Sequence, residues 1–178
     1  MLNVEFFHFL LGFVYHLIKR AQITRLREIE FEENMSRIAL YGLSANPPSG
    51  LGGHEGIVQY LVDSVKFDEI WILPVYQHIF SSKRKLAEFN HRIEMCKLCF
   101  EDHSSSTTTV RVMSLEKEVC EHYLEVNGPY YRVGTVDILR FLLDRQRTKQ
   151  GQSDHISLIL GSDTFIDLAC GKWKEADM

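Results

Sequence analysis

The chain has 178 residues, 45% of them hydrophobic and 25% charged, which suits one globular domain with a substantial core. A formal net charge of −4 without a dense basic stripe argues against a nucleic-acid binder, although local loops still decide whether a small anion can bind. The cysteines Cys96, Cys99, Cys120 and Cys170 lack the spacing of a secreted disulfide framework, so a reducing compartment, the cytoplasm, is expected.

Residues 1–36 read as a helical extension ahead of a domain at 37–178. The apolar run Phe6–Ile18 is broken by His8, Gly12 and His16 and falls short of the roughly 20 residues that span a bilayer. Glu5 before it and Lys19-Arg20 after it are the wrong flanks for a signal peptide. A helix packed on the domain is the simplest reading, and a peripheral membrane helix stays open.

The apolar stretch Ile38-Ala-Leu-Tyr41 predicts a buried strand, followed by a loop rich in Gly, Pro and Ser that ends in Gly53-His54. Ile57, Val58, Leu61, Val62 and Val65 recur at helical spacing, so a helix is expected from about His54. Strand, glycine loop and helix together aim backbone N–H groups and a positive helix end at an anion. No lysine lies between Arg37 and Lys66, which excludes a P-loop, and the crowded Gly50, Gly52 and Gly53 fit a dinucleotide fingerprint poorly.

Asp68–Tyr76 predicts a strand covered on both faces, and a basic stretch with His78, Lys83, Arg84 and Lys85 follows it. Glu88–Glu101 reads as a helix carrying Cys96-Lys-Leu-Cys99, a lone pair with no zinc-finger spacing, so these cysteines are read as structural. A third strand falls around Val110 and Val112, and a short helix over Glu116–Leu124. Thr135–Arg147 predicts an amphipathic helix with Val136, Leu139, Leu142 and Leu143 inward. Ile156–Leu160 gives a fourth strand, and Gly161-Ser-Asp163 opens another loop and helix.

This alternation implies an α/β fold, a Rossmann-like doubly wound parallel sheet. Ligands in such sheets sit beyond the carboxyl ends of the strands, where Gly42–His54, Pro74–Lys85 and Gly161–Asp163 should converge.

With those segments in place, the chain resembles the nicotinamide/nicotinate mononucleotide adenylyltransferases of the nucleotidyltransferase superfamily. The resemblance rests on Gly42-Leu-Ser-Ala-Asn-Pro47 ending in Gly53-His54, on Lys83 with His91-Arg92-Ile-Glu-Met95, on Thr135-Val-Asp-Ile-Leu139, and on Gly161-Ser-Asp163 with Trp173. Two departures stand out. The first histidine of the family's His-x-Gly-His has no clear counterpart, and the later Ile-Ser-Ser-Thr-x-x-Arg segment is absent before Met178, as in a fragment or a variant lacking part of the ATP site.

The resemblance implies adenylyl transfer from ATP to a pyridine mononucleotide, with Mg2+ entering on the triphosphate and no protein metal site. It implies His54 as the catalytic phosphate donor, and Gly42, Ser44, Gly52, Gly53, Lys83 and Asp163 at ATP and its phosphates. Arg92, Thr135 and Trp173 would meet the mononucleotide. Simpler roles compete with several of these: an ion pair for Arg92, a helix cap for Thr135 or Asp163, a core position for Trp173. A phosphopantetheine-type adenylyl- or cytidylyltransferase, or a non-catalytic nucleotide-binding relative, are the alternative functions.

Overall fold

The structure, a computed structural model, describes residues 35–77, 85–128, 131, 133–148 and 154–173. The apolar run at 6–18 and Lys83 lie outside the described residues. Strand β1 (Arg37–Leu43) leads through the glycine loop to helix α1 (His54–Asp63), β2 (Glu69–Pro74) and α2 (Phe89–Phe100). A 3-10 turn, Glu101–His103, precedes β3 (Thr109–Val112). Helices α3 (Leu115–Asn127) and α4 (Thr135–Thr148), strand β4 (His155–Ile159) and helix α5 (Ser162–Ala169) complete the order.

The strands form one parallel sheet in the order β3-β2-β1-β4. Successive side chains of a strand point to opposite faces, and the core divides accordingly. Ala39, Tyr41 and Leu43 of β1, with Ile70 and Ile72 of β2, pack against Val58, Leu61 and Val62 of α1 and Cys96 and Phe100 of α2. Ile38, Leu40 and Leu73 face the other way, onto Leu115, Val119 and Cys120 of α3 and Ile138 and Leu142 of α4. Both faces are covered, as the unbroken apolar runs of β1 and β2 require.

Some inward assignments change. Leu143 is half exposed, and the buried line of α4 runs through Asp137, Ile138 and Leu142, because the helix packs one residue out of phase with the expected stripe. Val65 is exposed too: α1 stops at Asp63, and Val65 takes a left-handed φ of 51° in the turn beyond. Helix α3 runs to Asn127, longer than its pattern suggested, and ends where Gly128, at φ 88°, donates its N–H to Leu124 O.

The chain winds outward from β1 to β3 and then returns to the far side of β1 to lay down β4. The order therefore reverses between β1 and β4, and parallel sheets bind their ligands at the carboxyl ends of the strands at such a reversal.

Candidate functional site

The loops that follow β1, β2 and β4 leave from three adjacent parallel strands, at the same end of the sheet. The first two are physically tied. Arg92 of α2 is only 1% exposed; its guanidinium donates to Ser44 O, Val75 O and Tyr76 O, and its Nε to Ala87 O. Asn46 bridges the same segments, donating to Lys85 O and accepting from Ala87 N at 2.8 Å. Val75 N donates to Leu43 O at 3.0 Å. The loop after β1 is held tightly enough to keep Ala45, fully buried, at a left-handed φ of 51°.

Arg92, expected at the mononucleotide, supports two loops here, its guanidinium bonded to four backbone carbonyls. Burial draws its pKa below the usual guanidinium range, against the fields of Glu116 and Cys96. Glu116 stands at the start of α3, where burial pushes its carboxyl up to about 7 against the Tyr76 amide and Arg92. With Tyr76, Gln77, Cys120, Tyr131 and Val133 it lines a small cavity beside the carboxyl end of β2.

His54 opens α1 and its ring is paired with Ser49. The Ser49 amide donates to His54 Nδ1 at 3.0 Å, Ser49 Oγ lies 2.8 Å from the same nitrogen, and the His54 amide donates to Ser49 Oγ at 2.9 Å. Gly53 N donates to Gly50 O and Glu55 N to Ser49 O, so the loop folds onto the helix start. The Gly53 amide closes the turn onto Gly50 O at 2.8 Å. Gly42 and Gly52 do face open space, with nothing within 4 Å of where a Cβ would stand. Glu55, next to His54, is docked on the turn after α2 by His103, whose Nε2 lies 3.2 Å from its carboxylate and whose Nδ1 lies 2.7 Å from Gln59 Oε1.

Asp163 is exposed in the first turn of α5, one residue past Ser162, and Gly161 holds the cap position. Thr135 is the first residue of α4 and not its cap. The side chain that closes that turn is Asp137, which accepts from Gly134 N and from Tyr131 Oη, each at 2.8 Å. Trp173 lies partly buried after α5. Burial lifts the Cys96 thiol to about 12, which suits the structural reading of the pair in α2. Among the described residues no group of three or more His, Cys, Asp or Glu side chains could hold a metal ion, and no helix is long and apolar enough to cross a membrane.

A curated relative, a probable nicotinate-nucleotide adenylyltransferase of Myxococcus xanthus, is 31% identical over 139 residues, 78% of this chain and 60% of its own length. A probable nicotinate-nucleotide adenylyltransferase of Bacillus pumilus is 27% identical over 143 residues, 80% of this chain and 64% of that protein. This chain is similar to the nicotinate-nucleotide adenylyltransferases. It spans about three fifths of the length of these relatives. No protein-family model matches it. The fold is shared with the nicotinic acid mononucleotide adenylyltransferase of Plasmodium falciparum, solved with NaAD and with APC. The two structures superpose with TM-scores of 0.55 and 0.54 at 21% identity, over 80% of this chain and 58% of theirs.

Ser49 and Asn46 did not stand out in the sequence of this chain. The spacing Ser49-x-x-Gly-Gly-His54 was the available signal for the first, because only a glycine turn brings a side chain five residues back onto the ring. Nothing in the sequence marked the long-range bonds of Asn46.

Proposed function

We propose that this site transfers the adenylyl group of ATP to nicotinate or nicotinamide mononucleotide. The 5′-phosphate oxygen of the mononucleotide forms a bond to the α-phosphorus of ATP, the bridging bond to the β-phosphate breaks, and pyrophosphate leaves with the electron pair. The observation that carries the reading is the His54 imidazole, fixed by Ser49 at the start of α1 beside the reversal of strand order. The names of the relatives favour the nicotinate form.

The attacking phosphate is already a nucleophile, so the protein's task is alignment and relief of charge on non-bridging oxygens. His54 donates a hydrogen bond to the α- or β-phosphate. Gly42, Ser44 and Gly52 let the triphosphate approach the loop, and Lys83 contributes a cation. Thr135 and Trp173 meet the pyridine end, and Asp163 a ribose hydroxyl or metal-bound water. Magnesium would neutralise triphosphate charge when bound, held mainly by substrate oxygens and water.

A second reading, a non-catalytic nucleotide-binding protein, is favoured by the helix-start amides of Gly53, His54 and Glu55 being spent within the loop. Calorimetry with ATP and each mononucleotide, beside a pyrophosphate-release assay, separates the two. Turnover supports transfer, binding alone supports the second reading, and binding of neither ligand removes both.

A further inference from the structure

We propose that Ser49 is a positioning residue that fixes the tautomer of His54, so that the ring hydrogen is carried on Nε2 and presented to phosphate. The last step rests on the proposed function; the tautomer does not.

A backbone N–H is always a donor, so the Ser49 amide, 3.0 Å from His54 Nδ1, requires a lone pair on that nitrogen. Ser49 Oγ accepts from the His54 amide at 2.9 Å, which leaves its hydroxyl hydrogen to point at the same Nδ1, 2.8 Å away. With Nδ1 accepting, the neutral imidazole holds its hydrogen on Nε2. Among the described residues Nε2 makes no hydrogen bond. One serine therefore does two things: it caps the first turn of α1 and decides which side of the ring can donate.

The glycine turn makes this possible. Gly53 N closes onto Gly50 O at 2.8 Å, and Glu55 N onto Ser49 O at 3.0 Å. A Cβ on Gly53 would stand 2.1 Å from Ser49 Oγ, so any other residue there pushes the serine off the ring. This gives a second variant that displaces the same serine while leaving its hydroxyl in the chain.

The test is a long-range 1H–15N correlation of the histidine rings in the full chain near neutral pH, His54 being the signals lost in His54→Ala. Wild type should show His54 with hydrogen on Nε2. Ser49→Ala, which keeps the backbone donor but loses the hydroxyl, should weaken the preference so that some Nδ1-protonated form appears, Gly53→Ala should do the same, and Ser49→Thr should restore the single form. In the pyrophosphate-release assay, Ser49→Ala should lower kcat about fivefold to tenfold, the scale of one neutral hydrogen bond, with KM little changed, and Ser49→Thr should recover it.

A wild-type ring with hydrogen on Nδ1 overturns the proposal, as do spectra of Ser49→Ala and Gly53→Ala identical to wild type. A lost tautomer with unchanged kcat overturns the link to phosphate. If the spectra behave as stated while neither ATP nor mononucleotide binds, the adenylyl-transfer reading fails and the tautomer assignment stands.

Discussion

Arg92 Nη1 donates to the carbonyl of Ser44 at 3.0 Å, across 48 positions of sequence, and so hangs the loop after β1 from the middle of the fold. The same guanidinium reaches Val75 O and Tyr76 O, so the loops after β1 and β2 share one support. Arg92→Met leaves buried carbonyls without donors and should lower the unfolding free energy by about 3 kcal/mol or more. Arg92→Lys should recover little, because a point donor cannot span carbonyls that a planar fork reaches together. Urea melts of the two variants check this, and a wild-type midpoint for Arg92→Met would refute it.

His54→Ala should lower pyrophosphate release at least about a hundredfold, the scale of one donor lost from a developing charge, with the thermal transition nearly unchanged. Near-wild-type turnover would remove His54 from the mechanism. A collapsed thermal transition would instead mark the ring as structural.

Glu116 makes stability depend on pH in a defined direction. Burial raises its carboxyl from 4.5 to about 7, so the folded state holds the proton more tightly than the unfolded chain does. Its contribution is complete below about pH 4.5, falls as pH rises through about 7, and is flat above that. Relative to wild type, Glu116→Gln should therefore gain about 3 kcal/mol between those limits. Denaturant titrations of both proteins at pH 4.5, 6 and 8 measure the difference, which a constant offset would contradict.

Two glycines should answer oppositely to alanine. A Cβ on Gly56 would lie 2.0 Å from the backbone carbonyl of Leu51, so Gly56→Ala must displace the loop and should cost about 2 kcal/mol. Gly42 faces open space, so Gly42→Ala should change stability by no more than about 0.5 kcal/mol. Because that space is where the triphosphate is proposed to lie, the same change should raise the KM for ATP. Equal stability losses would show that the loop gives way at both positions.

The apolar runs at Ile38–Tyr41 and Ile70–Leu73 and the helical spacing from Val58 to Val62 determined the layered α/β fold by themselves, because burying both faces of a parallel sheet demands those patterns. The glycine loop and His54 were legible for a similar local reason: strand, turn and helix start are encoded within a few residues. Tertiary structure alone decided that Arg92 ties two loops together, that Leu143 turns outward, that the Gly53 amide closes onto Gly50 O, and that Ser49 holds the His54 ring. Hydrogen bonds between distant segments have no periodicity to read. They are set by where the packed sheet brings carbonyls and side chains together, and a residue's chemistry tells only what it can donate, not to whom.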